Sequence, residues 1–168
     1  MTIAELLLPE FDMEIATTRR VLERVPDGKG DFKPHEKSFP MGHLAQLVSR
    51  LPGWAPMVID HPDLDIAPKD GPKMAGYSME TTATLLTEFD KNAAAGRAAI
   101  AKTTDAQFGE SWSFKVAGQV MFTQPKYLAL RTSVLNHLVH HRAQLGVYLR
   151  LTEQPVPPMY GPTADERM

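Results

Sequence analysis

Apolar residues recur at three- and four-residue steps through four stretches of this chain. Ile3, Leu7, Phe11, Ile15, Thr18, Leu22 and Val25 trace one side of a first helix. Pro9 interrupts its early part, so the spacing places the start of the regular helix there, with proline in the first turn. Pro26-Asp27-Gly28 stops it, and residues 26 to 38 read as a polar loop. A second helix starts near Pro40 and carries His43, Leu44, Leu47, Val48 and Leu51, until Pro52 and Gly53 end or kink it. Trp54, Met57, Val58 and Ile59 form a short apolar continuation. Residues 60 to 77 hold several prolines and glycines and read as a surface connection. Ser78 is the expected N-cap of a third helix, whose stripe is Met79, Thr82, Leu86, Phe89, Ala93, Gly96 and Ile100.

The pattern then changes. Trp112 to Val116 alternates apolar and polar, Ala117-Gly118 follows, and Gln119 to Phe122 continues, which reads as a small hairpin or an extended crossing segment. Pro125 suits the first residue of a final helix, with Thr123 or Gln124 capping it, running to about Thr152. A proline-rich arm, residues 153–168, cannot be regular helix or central strand. Four long helices with short irregular links predict an all-α fold, an antiparallel four-helix bundle.

Composition narrows the function. A length of 168 residues is most simply one domain, 1–168. The formal net charge of -2 leaves no global basic field to hold nucleic acid. Cysteine is absent, which excludes disulfides, thiolate metal ligands and a cysteine nucleophile, and fits a reducing compartment. No basic n-region precedes a long apolar segment and no window is apolar enough to span a bilayer, so the expectation is a cytoplasmic protein without a membrane partner.

Candidate chemistry sits in Asn136-His137-Leu138-Val139-His140-His141-Arg142. His137 and His141 are four residues apart, hence one turn apart on one helical face. Leu130, Val134, His137, His141, Gln144 and Tyr148 follow the 4, 3, 4, 3, 4 spacing of a bundle seam, which points both imidazoles at the core. A buried imidazole needs partners for both nitrogens, and one unsatisfied polar group costs roughly 1–3 kcal/mol. A divalent metal would take a lone pair from each ring. The alternative is a pair of core histidines satisfied by backbone carbonyls or by each other. His43, on the second helix, is the candidate third ligand. His140 lies off the seam, and His35 and His61 fall in loops that solvent would reach. There is no His-Glu-x-x-His pattern, Gly-rich phosphate loop or nucleophile elbow. Arg142 reads as exposed or paired, with anion binding the less common role; Trp54 and Trp112 read as core or pocket aromatics.

Five pieces together resemble the DinB/YfiT-like family of metalloenzymes over nearly the whole length. They are Leu8-Pro-Glu-Phe-Asp12 with Thr18-Arg19, Pro34-His-Glu-Lys-Ser38, Leu51-Pro-Gly-Trp54, Asn136 to Leu145, and Tyr160-Gly-Pro-Thr-Ala-Asp-Glu166. The resemblance implies an up-down-down-up four-helix bundle, often a homodimer. It implies nickel or zinc on three histidines, one from the second helix and two that land on His137 and His141. Some relatives transfer low-molecular-weight thiols, which the metal would hold as thiolates. The chain departs from the pattern at Leu47, where many relatives carry the second-helix histidine, and at Met13, where relatives often carry another. His43 lies one turn before Leu47, ~5.4 Å along the axis. The implied function is metal-dependent, thiol-dependent transfer or hydrolysis of a small molecule. The competing reading is a metal-free, non-catalytic bundle that binds a small hydrophobic ligand or a protein partner.

Overall fold

In the computed structural model, which describes residues 1–70 and 75–167, the chain is mostly helical with a small three-stranded sheet. The first helix, α1, is Ile3–Leu22. It begins earlier than Pro9 because Thr2 and Glu5 form a capping box: the Thr2 hydroxyl accepts the Glu5 N–H at 3.2 Å, and the Glu5 carboxylate accepts the Thr2 N–H at 2.7 Å. Pro9 therefore lies inside the helix and removes one backbone donor. The cap, together with burial of Ala4 and Leu7, offsets a proline cost of about 3 kcal/mol. Asp105 also accepts the Ile3 N–H at 2.8 Å, tying the helix start to a later turn.

α2 is Met41–Arg50, beginning at Pro40 as its pattern predicts. A 3₁₀ turn, Leu51–Gly53, kinks the chain into α3, Trp54–Asp60. α4 is Thr82–Lys102. Its N-cap is Thr81 rather than Ser78, since Thr81 and Thr84 form a reciprocal cap while the Ser78 N–H donates to Gln46 Oε1 at 2.6 Å. Asp27 reinforces this start by accepting both the N–H and the hydroxyl of Thr82, and those bonds hold its carboxyl below the usual range. Residues 71–74, in the middle of the predicted connection, lie outside the described residues.

A short helix, α5 (Asp105–Gly109), leads into the sheet. The predicted hairpin is present as β2 (Ser111–Val116) and β3 (Gln119–Pro125), paired antiparallel. Ala117 and Gly118 turn it with φ 52° and 81°, the left-handed pair that a two-residue hairpin turn requires. The connection after α3 also supplies a strand, β1 (Asp63–Asp65), which pairs parallel with β2. Its Asp65 carboxylate accepts the N–H groups of Ala117 and Gly118, so strand and turn fix each other.

The final helical stretch begins at Lys126, with Pro125 in the cap position and no side-chain cap. It comprises α6 (Lys126–Ala129), a π-helical segment (Leu130–Asn136) and α7 (His137–Leu151). α1 packs on α4, α2 and α7, and α2 packs on α4 and α7. Phe11, Leu44, Phe89, Ile100, Leu135 and Leu138 are among the side chains buried between them. The arm folds back onto its own chain: Val156, Pro157 and Pro158 are buried, and Asp165 binds Arg150 and the Val156 N–H. Among the described residues no helix is long and apolar enough to cross a membrane.

Candidate functional site

The π segment changes which residues of the last helix face the core. Each π turn takes in an extra residue, so a seam counted in unbroken heptads from Leu130 slips by one. The buried row is Leu138, Arg142, Leu145 and Leu149. His137, His141, Gln144 and Tyr148 occupy the neighbouring row: His137 is half-buried, His141 is 8% exposed and Gln144 is exposed. Of the expected seam, Leu130, Val134, His141 and Tyr148 are buried, His137 is half-buried and Gln144 is exposed; the fully buried row runs one position further on, so the histidine pair stands at the margin of the core.

This position leaves them facing each other. His141 Nε2 is 2.9 Å from His137 Nε2, with ring centroids 4.6 Å apart. His141 Nδ1 is 2.8 Å from Gln144 Oε1, and His137 Nδ1 is 3.3 Å from the Ser133 carbonyl. Both outer partners, as placed, are acceptors. Each Nδ1 then carries the proton, and each Nε2 presents a lone pair to the other. Turning the Gln144 amide end for end gives the other solution, with the proton of His141 on Nε2 and donated to His137. Burial is the leading cause that holds both pKa values below the usual 6.5; repulsion from His141 and His140 adds to it at His137, and repulsion from His140 and His43 at His141, against the opposing bonds to Ser133 and Gln144. Trp54 packs edge-on against His137 at 5.7 Å, and its indole N–H is buried without a hydrogen-bond partner.

His43 does not join this pair. Its ring stacks on Phe39 at 4.4 Å with an interplanar angle of 5°, and Tyr77 lies 4.7 Å away on a tilt. Burial lowers its pKa, and it is near enough to His141 to contribute a repulsive field there. Among the described residues no group of three or more His, Cys, Asp or Glu side chains is placed to hold a metal. Leu47 is buried in the core and Met13 is exposed. His140, His35 and His61 are exposed, as expected for them.

An open cleft of about 490 Å³ reaches His141. One wall is Lys37, Ser38 and Phe39 from the loop before α2; the other is the outer row of α7. The Tyr148 hydroxyl bridges them, donating to the Phe39 carbonyl at 2.9 Å. Next to His141 in the chain, Arg142 belongs to a network, buried but for Tyr160, that sequence reasoning left open. Arg142 is fully buried and touches Glu14, and Tyr160 of the arm bonds to both. Glu14 falls beside the first helix's apolar stripe, a placement that the α1 periodicity alone could have flagged.

No protein-family model and no curated protein matches the chain. Among solved structures, the chain is similar to a DinB-like protein from Bacillus cereus ATCC 10987, with 20% identity and a TM-score of 0.71 over 95% of this chain and 98% of that one. It is also similar to a DinB-like protein from Bacillus subtilis, with 15% identity and a TM-score of 0.66 over 92% of this chain and 97% of that one. At these identities the likeness is one of fold: the chain has the fold of DinB-like proteins.

Proposed function

We propose that His137 and His141 are two ligands of a divalent metal, zinc or nickel, in an enzyme that transfers a thiol to a small molecule or hydrolyses one. In this reading α1, α2, α4 and α7 form the up-down-down-up four-helix bundle that carries the site. The observation that supports it is the pair of Nε2 atoms converging at 2.9 Å while both Nδ1 atoms are engaged by acceptors. In the tautomer set by Ser133 and by Gln144 as placed, two lone pairs face each other, and a cation between them would satisfy both. Two zinc-bound nitrogens at ~2.0–2.1 Å and a tetrahedral angle stand about 3.3 Å apart, so the rings need only a small opening.

The two donors fit a metal; a complete ligand set is a larger demand. The third donor is His43, freed from its stack on Phe39 and Tyr77. When bound, the metal would act as a Lewis acid that lowers the pKa of a water or a thiol. The protein's own part is positional. Ser133 and Gln144 hold the imidazoles in the tautomer that presents Nε2, the role outer partners of metal-binding histidines commonly play. Trp54 shields the inner face of His137 and leaves an unused indole donor near the pair.

Metal content of the untagged protein tests this, for wild type and for His137→Ala, His141→Ala and His43→Ala. One zinc or nickel per chain, lost in all three variants, is the expected result. A wild type that takes up neither metal overturns it. Metal retained by His43→Ala removes His43 from the ligand set and leaves the pair. The stack of His43 on Phe39, which keeps it out of the pair so that no three donors gather among the described residues, favours one second reading: a metal-free protein that binds a small ligand in the cleft.

A further inference from the structure

We infer that the cleft beside His141 receives a small organic anion with an apolar body, its charged group on Lys37 and its body against Phe39, Val147 and Tyr148. The lining chemistry carries the inference. No aspartate or glutamate lines the cleft. The polar side chains at its rim are Lys37, Ser38 and His140, and none of the ion pairs among the described residues involves Lys37. Tyr148 and Gln144 are already committed, to the Phe39 carbonyl and to His141. What remains free is a cation, a hydroxyl and an imidazole over an aromatic and aliphatic wall. Sites that bind amphipathic small molecules combine an apolar lining with a few such groups, in volumes of roughly 300–1,000 Å³.

The wall is also built in advance. The Met41 N–H donates to Phe32 and the Gly42 N–H to Gly30, both at 2.9 Å, pinning the loop to the start of α2. A turn closed by the Ser38 N–H on the His35 carbonyl sets Lys37 at the rim, and the Lys37 N–H donates to His35 Nδ1 at 3.1 Å. In the metal-free protein, the form the test uses, the Phe39 ring is held on His43. A ligand therefore pays little ordering cost on that side. The inference deepens the reading of the His pair as a catalytic site by naming its substrate class; binding itself does not require the metal.

The test uses full-length protein stripped with a chelator, so that it stands apart from the metal result. Amide chemical shifts are followed on titration with 3-phenylpropionate and with its uncharged counterpart 3-phenylpropanol, for wild type, Lys37→Gln and Lys37→Arg. Shifts around residues 37–39 and 140–148 are expected, with the carboxylate binding about fivefold tighter than the alcohol. That preference should vanish in Lys37→Gln and return in Lys37→Arg. Equal binding of the two probes, a preference that survives Lys37→Gln, shifts that map elsewhere, or no shift with either probe would each overturn the assignment.

Discussion

Arg142 Nη1 lies 2.6 Å from Glu14 Oε2, and neither side chain is more than 6% exposed. The contact is a charge contact rather than a well-aligned hydrogen bond, because Oε2 and the Arg142 Nε have no hydrogen-bond partner of acceptable geometry. The network is completed by Arg142 bonds to the Glu14 carbonyl and the Thr18 hydroxyl, and by Tyr160, which accepts from Arg142 and donates to Glu14 Oε1, each at 2.7 Å. It locks α1, α7 and the arm together at the residue that follows His141.

Removing one charge from this network leaves the other buried and uncompensated. Arg142→Met should cost about 3–5 kcal/mol, while the double change Glu14→Leu with Arg142→Met should recover a large part of that loss. Tyr160→Phe should cost about 1–2 kcal/mol, because it deletes one hydroxyl shared by two buried partners. Urea denaturation of the four proteins measures all of these. An Arg142→Met variant of wild-type stability would show that the charge contact contributes nothing.

Gly96 sets the distance between α4 and the turn after α2. A Cβ there would meet the Pro52 carbonyl oxygen at 2.5 Å and the Phe11 ring at 3.0 Å. Alanine gains about 1 kcal/mol of helix propensity, and the clash with backbone opposes it with typically 1–3 kcal/mol. Gly96→Ala is therefore expected to be destabilising on balance, whereas an exposed helix glycine would be stabilised by the same change. The thermal midpoint decides the sign.

The His pair makes stability depend on pH. His137 and His141 have folded pKa values below 6.5, mainly through burial, so the folded state holds them neutral while the unfolded chain takes up protons more readily. Their stabilising contribution is complete above about pH 6.5 and is lost as the pH falls through the lowered folded values. The urea midpoint of the metal-free protein should drop between pH 7.5 and 5.5, and a His137→Asn, His141→Asn double variant should lose less over that window. Parallel curves for the two proteins would contradict this account.

Gln144 touches no predicted ligand atom of the metal, yet it holds His141 by Nδ1 at 2.8 Å. If that bond sets the tautomer that presents Nε2, Gln144→Leu should weaken zinc binding about 10- to 100-fold without altering stoichiometry. Competition with a chromophoric chelator reads the change. Unaltered affinity would mean that the imidazole is oriented by packing alone.

The helices were legible in the chain because burial of one face imposes a period, and Leu7, Phe11, Phe89, Ile100 and Leu44 follow it. The hairpin was legible for a similar reason, since Trp112 to Val116 alternates and Ala117-Gly118 fits its turn. Less was legible where a contact distant in sequence competes with a local signal. Thr81 displaced Ser78 as a cap through its bond with Thr84 and support from Asp27, and Asp63–Asp65 became a strand only because β2 was there to pair with it. The proline-rich arm was correctly barred from helix, but Tyr160 and Asp165 show where it docks.

For the site, the chain by itself determined that His137 and His141 share one helical face, because four residues make about one turn. Only the tertiary structure decided which way that face points. The π segment rotates the fully buried row onto Leu138, Arg142, Leu145 and Leu149, and leaves the two histidines at the margin of the core with their Nε2 atoms converging and His141 reaching the cleft. It also decided that His43 stacks on Phe39 rather than joining them, because ring packing across the loop and α2 depends on contacts that periodicity along one helix does not encode.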